Sequence, residues 1–465
     1  MTRRSLWTAA TLAKATGGRA SRAFQAHGVS IDTRSLEPGD LFIALGGARD
    51  GHEFVAQAMA AGAAGVLASR PVETPHVLVP DTFLALQALG IAARERAAQA
   101  RRAAITGSVG KTSVTQAVAA GLALAGRAHT SVKSYNNHIG VPLTLARMPA
   151  DTERAVFEIG MNHADEITPL SGLVRPHVVA VTTVGPVHVE NFPDGETGVA
   201  RAKAEIFDGA AQGAVAVLNA DNRWFGCLSA RARARGLVVR SFGRAEGADA
   251  RLTDFGVEAG RGVIRSEIDG RPVDLTLSQT GAHWGLNAMA VLLLLEALDV
   301  SQQDGLAALS AFEALPGRGA ESLIRSHRGD FTLIDESYNA NPISMAATIG
   351  SLGVRRTQAR RILALTDMLE LGDEAARFHA DLARPIADAG IDLVFCAGPL
   401  MKSLWDALPS TRRGGYAVEA LELAPMISAA VGQGDLVMVK GSNGSRAGRV
   451  AGALRALDRS AGGAG

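Results

Sequence analysis

The sequence AAITGSVGKTS, residues 103–113, is the most informative segment for predicting the fold. Its apolar start favours a β-strand, a short loop bounded by Gly107 and Gly110 follows, and a helix is predicted from Lys111 onward. Glycines allow backbone N–H groups to turn around phosphate oxygens, and the N-terminus of a helix adds partial positive charge. A phosphate-binding loop between a parallel strand and a helix is therefore predicted at these residues.

The side chains that open the predicted helix suit a nucleoside triphosphate and its metal. Lys111 can reach the β- and γ-phosphates, and the hydroxyl of Thr112 can bind Mg²⁺. The common loop has a glycine five positions before Gly110, where this chain has Ile105, so the loop is shorter here. An ordinary glycine-containing turn is the plain alternative. The Gly-Lys-Thr sequence between a strand and a helix makes it the weaker one.

Length, charge and cysteine content limit the class of protein. The 465 residues correspond to about three domains. Lys and Arg total 47 against 46 Asp and Glu, which argues against a protein that holds nucleic acid by bulk positive charge. With 47% hydrophobic and 20% charged residues, wholesale disorder is excluded. Two cysteines, Cys227 and Cys396, cannot build a disulfide framework or an all-thiolate zinc site.

The hydropathy pattern favours a cytoplasmic protein. Residues 1–18 begin with basic side chains but lack the sustained apolar core of a secretory leader. No apolar run approaches the roughly 18 residues that a membrane span requires. We therefore expect a protein of the reducing cytosol that neither spans a membrane nor binds nucleic acid.

Two seams divide the chain into three predicted domains, residues 1–102, 103–315 and 316–465. The first seam is the alanine- and arginine-rich stretch 91–102, and the second is ALPGRG at 314–319, where proline and glycine end a helical segment. Short β-like runs alternate with helical stretches throughout, which predicts an α/β fold with mainly parallel sheets. Residues 240–278 instead alternate apolar and polar side chains, which predicts an antiparallel addition.

Polar side chains follow predicted strands of the middle domain, where open α/β sheets bind ligands. Glu158 lies at the end of the apolar run AVFEIG. His188 and Glu190 lie in GPVHVEN, and Lys203 lies in VARAKAEIF. A carboxylate in a buried strand is costly unless it is paired or binds metal, so Glu158 is a candidate Mg²⁺ ligand. Taken singly, a paired glutamate, a hydrogen-bonded histidine and a solvated lysine are the plainer interpretations; their position behind a phosphate loop favours a site.

Two strings of the last domain repeat this arrangement. IDESYNANP at 334–342 and VKGSNGSR at 439–446 each place hydrogen-bonding side chains after a predicted strand. Such loops suit a polar ligand, and an ordinary turn is the alternative for either string alone.

Together these strings resemble the ATP-dependent Mur ligases of peptidoglycan synthesis. The resemblance is closest to the branch that joins D-alanyl-D-alanine to UDP-N-acetylmuramoyl-tripeptide, because DESYNANP and DMLELG are more specific to that branch than the phosphate loop. It covers nearly the whole chain. The further strings that carry it are SIDTRSLEPGDLFIALGGARDGHEF at 30–54, SYNNHIGVP at 134–142, FEIGMNH at 157–163, LPGRG at 315–319 and TDMLELG at 366–372.

The resemblance implies a small N-terminal α/β domain that binds the UDP-muramoyl peptide, a central ATP-binding domain and a C-terminal Rossmann-like domain. It implies ATP and two Mg²⁺ ions, a carbamylated Lys203, and a monomer that forms an acyl phosphate before the amide. The catalytic residues would be Lys111, Lys203, His188 and Arg318. The metal ligands would be Thr112, Glu158, His188 and Lys203.

The ATP site implied by the resemblance consists of Gly107, Ser108, Val109, Gly110, Lys111, Thr112, Ser113, His283, Asn287, Arg318, Asp335, Tyr338 and Asn339. The muramoyl-peptide side consists of Ser30, Asp32, Thr33, Arg34, Asn136, Asn137, Lys440 and Ser442. Asp335 is assigned to the ribose, although the adjacent Glu336 could face it instead. Trp284 stands where the family has asparagine, and stacking on adenine is the alternative role for it.

Two other functions share part of this pattern. Another Mur ligase or a folylpolyglutamate synthase would have the same phosphate loop but should lack DESYNANP and the N-terminal DTRS…PGDLF block. A nucleotide-gated binding protein would hydrolyse ATP without forming a bond. The polar clusters in all three predicted domains argue against such a switch, which would not need them.

Overall fold

The computed structural model describes residues 5–47, 49–132, 134–355 and 357–459. Three larger sheets follow one another along these residues, and each is accompanied by helices. This arrangement confirms the predicted α/β fold class with mainly parallel sheets. Within the described ranges, no helix is both long enough and apolar enough to cross a membrane.

The first sheet has five strands, and all of its neighbouring pairs are parallel except the first. Its strands in spatial order are Arg19–Ala20, His76–Leu78, Gly65–Ala68, Asp40–Ile43 and Gly28–Ser30. Trp7–Thr8 and Gln25–Ala26 form a separate antiparallel pair. The helices of this part are Ala9–Thr16, Val55–Ala60 and Thr82–Arg96.

The central sheet has nine strands. Their spatial order is Arg271–Leu277, Arg261–Ile268, Ala250–Glu258, Val238–Gly243, Val215–Asn219, Val178–Val181, Arg101–Thr106, Arg154–Glu158 and Ala128–Thr130. Strand Arg261–Ile268 pairs antiparallel with Ala250–Glu258 on one side and with Arg271–Leu277 on the other, as the pattern of 240–278 predicts. Strand Val238–Gly243 still belongs to the parallel part of the sheet. The helices are Lys111–Ala125, Gly140–Ala146, Ile167–Val174, Glu196–Ala204, Phe225–Ala234, His283–Ala297 and Gln302–Ala311.

The C-terminal sheet has six strands, of which only the first pairs antiparallel. Their spatial order is Ala320–Ser326, Gly329–Glu336, Leu436–Lys440, Arg361–Thr366, Leu393–Ala397 and Arg413–Ala417. The α-helices of this part are Pro342–Gly353, Ala375–Ala380, Ala383–Asp388, Lys402–Ala407, Leu423–Ala430 and Ala447–Arg455.

Helix His283–Ala297 lies in the central core and is apolar on nearly all sides. In His283–Ala297 ten residues are buried, and they pack with helix Lys111–Ala125 against one face of the central sheet. A helix that is apolar on nearly all sides must be covered on all sides, which this position between sheet and neighbouring helices achieves. The helix therefore holds its polar first turn, with His283 and Asn287, at a fixed place beside the phosphate loop.

The strand order brings three polar strand ends together. Strand Arg101–Thr106 lies between Arg154–Glu158 and Val178–Val181 and runs parallel to both. The chain first builds strands on one side of Arg101–Thr106 and then on the other, which opens a crevice at the carboxyl ends of the strands. The phosphate loop, Glu158 and residues 182–188 therefore meet at one edge of the sheet.

The first predicted domain boundary, between residues 102 and 103, falls inside strand Arg101–Thr106. Since a boundary belongs in a connection, we propose to place it in residues 97–100, between this strand and helix Thr82–Arg96. The second predicted boundary, between 315 and 316, lies in the connection from helix Gln302–Ala311 to strand Ala320–Ser326 and stays as proposed.

Candidate active site

The phosphate loop is shaped by close contact with the neighbouring strand end. Gly107 has φ +148°, and a Cβ there would lie 1.9 Å from Thr182 Oγ1. Thr182 Oγ1 donates to the carbonyl of Val109 at 2.5 Å. Ser108 Oγ donates to the Gly185 carbonyl at 3.1 Å and accepts from the Gly185 N–H at 3.0 Å. The loop is therefore fixed by residues 182–185, and only glycine fits at its start.

Lys111 begins the helix behind this loop. Gly110 precedes it with φ +87°, a left-handed conformation that glycine adopts without strain. Lys111 Nζ donates to the Gly107 carbonyl at 2.6 Å, so the ammonium group folds back over the loop. Burial lowers the pKa of Lys111, Arg318 lowers it further, and Glu158 opposes both. The lysine thus lies where it can neutralise phosphate charge.

Glu158 is the buried carboxylate of the site, with 2% of its surface exposed. Its Oε2 accepts a hydrogen bond from Thr112 Oγ1 at 2.7 Å, and its Oε1 accepts one from Asn136 Nδ2 at 2.7 Å. Thr112 Oγ1 also lies 3.2 Å from Ser134 Oγ. These oxygens form a compact donor set of the kind that Mg²⁺ prefers, directly below the phosphate loop.

Arg318 reaches this group from the C-terminal part of the chain. Its Nη2 donates to Thr112 Oγ1 at 3.0 Å. Its guanidinium lies 3.9 Å from the ring centroid of Tyr338, and the Tyr338 hydroxyl donates to Ser134 Oγ at 3.2 Å. Stacking on an aromatic ring holds a guanidinium in one orientation without blocking its N–H donors. Arg318 is therefore aimed at the phosphate loop.

Lys203 and His188 lie near Lys111 but are not joined to it by hydrogen bonds. Lys203 is 3% exposed, and burial together with the charge of Lys111 lowers its pKa well below the usual range. His188 Nδ1 lies 2.6 Å from Glu370 Oε2, a carboxylate of the C-terminal part. Burial lowers the pKa of His188, and Lys111 and Lys203 lower it further, while Glu370 raises it.

The first turn of helix His283–Ala297 closes another side of the crevice. Asn287 Oδ1 lies 3.2 Å from the position that a Cβ on Gly110 would take. Burial, aided by Lys440, lowers the pKa of His283 to about 4, so its imidazole is neutral at neutral pH. Trp284 points the other way: it is 2% exposed and its ring packs 5.5 Å from Phe312. The ring is part of the central core, so stacking on adenine would require it to leave its contact with Phe312.

Asp335 and Glu336 point to opposite faces of their strand. Asp335 accepts hydrogen bonds from Ser337 and from Arg455 Nη2, the latter at 2.8 Å, and does not line the crevice. Glu336 lines it, with Lys440 Nζ 3.8 Å from its Oε2. Burial raises the pKa of Glu336 and lowers that of Lys440. Because side chains alternate along a strand, only one of the two neighbours can face the cavity, and it is Glu336.

A cavity of about 510 Å³ connects these groups. Sequence-predicted residues that line it are Ser108, Val109, Gly110, Lys111, Thr112, Ser113, Asn136, Glu158, His283, Asn287, Arg318, Tyr338, Asn339 and Lys440. Lys440 Nζ also donates to the Asn339 carbonyl at 2.9 Å, which fixes that loop. The cavity is thus shared between the central and C-terminal parts of the chain.

Comparisons with known proteins agree over the same residues. Sequence models described as "Mur ligase family, catalytic domain", "Mur ligase middle domain" and "Mur ligase, glutamate ligase domain" match residues 25–105, 105–295 and 322–443. The UDP-N-acetylmuramoyl-tripeptide–D-alanyl-D-alanine ligase of Rickettsia prowazekii is 31% identical over 94% of this chain and 97% of its own length. The chain belongs to the Mur ligase family.

Two further relatives support this membership. The Escherichia coli enzyme of the same name is 36% identical over 80% of this chain and 81% of its own. The crystal structure of MurF from Acinetobacter baumannii superposes with a TM-score of 0.84 at 28% identity and covers 97% of this chain and 99% of that one. The resemblance predicted from the sequence is thereby confirmed, and this Mur ligase has the family's three-domain fold.

Several predicted residues of this Mur ligase do not line the cavity. Asn137 Oδ1 accepts from the N–H groups of Ile139 and Gly140, so it holds the turn that leads into helix Gly140–Ala146. Ser442 Oγ accepts from the N–H of Leu369 at 3.0 Å and so holds a loop. Gly107, His188, Lys203 and Asp335 also lie outside the cavity lining.

The predicted muramoyl-peptide residues of the N-terminal part form a turn after strand Gly28–Ser30. Ser30 Oγ donates to the carbonyl of Asp32 at 3.0 Å. Arg34, whose side chain is 85% exposed, pairs with the Asp32 carboxylate at 2.6 Å. Thr33, between them, is half-buried. None of these side chains lines the nucleotide cavity, so they form a separate polar turn in this Mur ligase.

Other lining residues of the cavity were missed from sequence. Thr182 and Thr183 follow strand Val178–Val181, and Asn219 ends strand Val215–Asn219. The strand-end rule that selected Glu158 applies equally to them and could have found them. Arg244, which directly follows strand Val238–Gly243, is covered by the same rule, whereas Ile343 lies in helix Pro342–Gly353 and is not.

Proposed function

We propose that this chain is the ligase that joins D-alanyl-D-alanine to UDP-N-acetylmuramoyl-tripeptide in the cytoplasmic phase of peptidoglycan synthesis, with ATP converted to ADP and phosphate. The observation that carries the proposal is the similarity to enzymes of that name over 94% of the chain, which includes all three parts rather than the ATP-binding part alone. The protein would act in the cytoplasm as a monomer. A folylpolyglutamate synthase would not account for this full-length similarity.

The ATP phosphates would be bound by the loop from Gly107 to Ser113. The loop glycines, the helix N-terminus and the folded-back Lys111 ammonium supply donors and positive charge at one point. Arg318 would add charge from the C-terminal part, while His283, Asn287, Tyr338 and Asn339 would contact the nucleoside. For the ribose we now propose Glu336 in place of Asp335, because Glu336 faces the cavity.

The residues fit two magnesium ions if Lys203 is modified. Thr112 and Glu158 offer oxygen ligands for the first ion beside the phosphates. Among the described residues no group of three or more His, Cys, Asp or Glu side chains is arranged to hold a metal. An unmodified ammonium cannot be a ligand, but carbamylation would turn Lys203 into a carboxylate beside His188. The low pKa of this buried lysine favours the neutral amine that reacts with CO₂. When bound, the two ions would neutralise charge on the triphosphate.

An amine cannot displace oxygen from a free carboxylate, because the carboxylate has no good leaving group. The reaction must therefore first attach one to the terminal carboxylate of the tripeptide. The terminal carboxylate of the tripeptide attacks the γ-phosphorus, which gives an acyl phosphate and ADP. The free amine of D-alanyl-D-alanine then attacks the acyl carbon, and inorganic phosphate leaves from the tetrahedral intermediate. Lys111 and Arg318 offset the charge that moves in the first step. Closure of the C-terminal part over the cavity excludes water, which would hydrolyse the acyl phosphate.

The muramoyl peptide would extend from the N-terminal turn to the cavity. Ser30, Asp32, Thr33 and Arg34 would lie on the uridine-nucleotide side. Asn136, held to Glu158, would lie near the reacting carboxylate, and Asn137 would shape the same connection. Lys440, next to Glu336 at the cavity wall, would contact the anionic end of the substrate. Ser442 would act only through the loop that it holds.

A panel of UDP-muramoyl peptides and acceptor amines tests the proposal. Release of ADP should require both the UDP-linked tripeptide and D-alanyl-D-alanine, and mass spectrometry should find the joined pentapeptide. Comparing tripeptides with diaminopimelate and with lysine at the third position identifies the natural one. ADP release that does not depend on D-alanyl-D-alanine, or that depends on glutamate and a folate instead, would contradict the proposal.

A further inference from the structure

Four side chains that line the cavity form a closed cycle of contacts between the central and C-terminal parts of the chain. The Arg318 guanidinium stacks 3.9 Å from the centroid of the Tyr338 ring, and its Nη2 donates to Thr112 Oγ1 at 3.0 Å. The Tyr338 hydroxyl donates to Ser134 Oγ at 3.2 Å. Ser134 Oγ lies 3.2 Å from Thr112 Oγ1, which closes the cycle. Ser134 has no role in the proposed function.

The number of available hydrogens sets the direction of the hydrogen bonds in this cycle. Thr112 has one hydroxyl hydrogen and donates it to Glu158 Oε2 at 2.7 Å. Its oxygen can therefore only accept from Ser134, so the Ser134 hydroxyl donates to Thr112 and accepts from Tyr338. A continuous chain of donations thus leads from the Tyr338 hydroxyl to the buried carboxylate of Glu158. Ser134 is the link that carries this chain from one part of the molecule to the other.

Tyr338 holds the segment around Arg318 by its backbone as well as by its ring. The Tyr338 N–H donates to the Gly317 carbonyl at 3.0 Å. Gly317 has φ +73°, and a Cβ there would lie 3.0 Å from the Tyr338 Cβ, so the two segments are in close contact. The backbone fixes one end of the tyrosine and Ser134 fixes its hydroxyl. The guanidinium of Arg318 therefore stacks on a ring that is held at both ends.

The bond between Tyr338 and Ser134 is one that a movement of the C-terminal part can break and remake. Tyr338 is 40% exposed and Ser134 is half-buried, so water can replace either partner. A hydrogen bond that is exchanged with water contributes little to the free energy of unfolding. We therefore expect its loss to change the orientation of the side chains in the cycle more than the stability of the fold.

We propose that Ser134 and Tyr338 are positioning residues for phosphoryl transfer. Their hydrogen bond holds Arg318 beside Thr112 when the C-terminal part is docked on the central part. A stacked guanidinium presents its remaining N–H donors in a fixed orientation, and donors fixed in advance stabilise developing charge without reorganisation. Phosphoryl transfer would then wait for docking. This rests on the proposed function, in which Arg318 offsets charge on the triphosphate.

The test removes single hydroxyl groups from the full-length protein. Tyr338→Phe keeps the ring that stacks on Arg318, and Ser134→Ala removes the acceptor of the tyrosine hydroxyl. Each should lower the kcat of ligation by about 3–10-fold, the loss expected from one hydrogen bond, with an unchanged melting temperature. The double variant should lose no more than Ser134→Ala alone, because the tyrosine hydroxyl acts through Ser134. Ser134→Thr keeps a hydroxyl and should restore most of the rate.

Tyr416→Phe is the matched control. The Tyr416 hydroxyl donates to the Gly398 carbonyl at 3.1 Å, and Tyr416 does not line the cavity. This variant also loses one tyrosine hydroxyl from the C-terminal part, and its kcat should equal that of the unchanged protein.

A second measurement asks whether the tyrosine hydroxyl acts through Arg318. In an Arg318→Ala background, adding Tyr338→Phe should leave kcat unchanged, because no guanidinium remains to be positioned. Calorimetric titration gives a readout that does not depend on turnover. Tyr338→Phe should weaken binding of a non-hydrolysable ATP analogue severalfold, and this difference should also disappear in the Arg318→Ala background.

Three results would overturn the inference. Full kcat in Tyr338→Phe would show that the hydroxyl positions nothing. Losses that multiply in the double variant would show that Ser134 and Tyr338 act separately. An equal loss from Tyr338→Phe with and without Arg318 would show that the guanidinium is not what the hydroxyl positions. Failure of the proposed function is a different result, since the unchanged protein would then release no ADP with the UDP-linked tripeptide and D-alanyl-D-alanine.

Discussion

Individual residues of the phosphate loop have little freedom to change. The sequence predicted the loop from its glycines, and the structure gives the physical reason at Gly107, which combines φ +148° with direct contact to Thr182. Lys111 and Thr112 could be predicted because phosphate and Mg²⁺ demand those side chains. Asp335 could not be distinguished from Glu336, because a one-residue difference in strand register reverses which side chain faces the cavity.

Gly107→Ala should weaken nucleotide binding. The new Cβ would clash with Thr182 Oγ1 and the backbone would be strained, so the loop must move from the helix N-terminus. Calorimetric titration with a non-hydrolysable ATP analogue should show at least about a tenfold loss of affinity, the equivalent of about 1.4 kcal/mol. Gly172→Ala is the control, because nothing lies within 4 Å of a Cβ there. Normal affinity in Gly107→Ala would contradict this account of the loop.

His129 should make the stability of the protein depend on pH. Burial lowers its pKa from 6.5 to about 4, so the folded protein keeps the imidazole neutral where the unfolded chain takes up a proton. The unfolded state therefore binds more protons between these values, and the free energy of unfolding falls as the pH drops through that window. From about pH 7.5 to about pH 5 the loss should be about 2 kcal/mol for this group.

His129→Gln removes this titration and can keep the hydrogen bond that Nε2 makes with the Thr144 carbonyl at 2.7 Å. In urea denaturation of the central part, the variant should lose about 2 kcal/mol less stability over that pH range than the unchanged protein does. An equal loss in both proteins would show that His129 is protonated in the folded state.

Strand order and hydrophobic periodicity determined which strands and which residue roles could be predicted from the sequence. Parallel strands with short polar connections were predictable, and so was the antiparallel addition after Val238–Gly243. The role of Trp284 was not, since a residue at the start of a buried helix can face either the cavity or the core. In this chain the ring of Phe312, which lies in a distant connection, packs against Trp284, and Trp284 therefore faces the core.

Separate substitutions of Asp335 and Glu336, which are neighbours in strand Gly329–Glu336, should distinguish a structural carboxylate from a functional one. Glu336→Gln should raise the KM for ATP severalfold with little change in the melting temperature, because the side chain faces the cavity. Asp335→Asn should instead lower stability by about 1–3 kcal/mol, because Arg455 and Ser337 lose their charged acceptor. Steady-state kinetics and thermal denaturation distinguish the two. The reverse result would return the ribose role to Asp335.

At the scale of the whole molecule, the N-terminal part is attached to the central part by packing as well as by polar contacts. Trp7 Nε1 donates to the Ala146 carbonyl at 2.9 Å, and both residues belong to one apolar cluster. The C-terminal part reaches the central part through polar contacts of Arg318, Tyr338 and Glu370. Polar contacts can be replaced by contacts with water or substrate more easily than apolar packing can. We therefore expect the C-terminal part to open and close relative to the central part at the boundary near residues 314–319.

Arg318→Lys should therefore impair catalysis more than folding. The planar guanidinium of Arg318 stacks on Tyr338 and at the same time donates to Thr112. Lysine lacks this group, so its positive charge would lie near the phosphates without a fixed orientation. We expect kcat to fall at least about tenfold, near 1.4 kcal/mol of lost transition-state stabilisation, with an unchanged melting temperature. Arg325→Lys, on the exposed side of the following strand, is the control. A full kcat in Arg318→Lys would remove Arg318 from the catalytic group.

In the proposed mechanism a peptide carboxylate is activated by phosphorylation before the amide forms. Tripeptide labelled with ¹⁸O in both oxygens of its terminal carboxylate, ligated to D-alanyl-D-alanine in ordinary water, measures this directly. We predict that mass spectrometry finds a single ¹⁸O atom in the released phosphate and the other in the new amide carbonyl. Phosphate without ¹⁸O, released while the pentapeptide forms, would contradict an acyl phosphate and with it the mechanism proposed for this cavity.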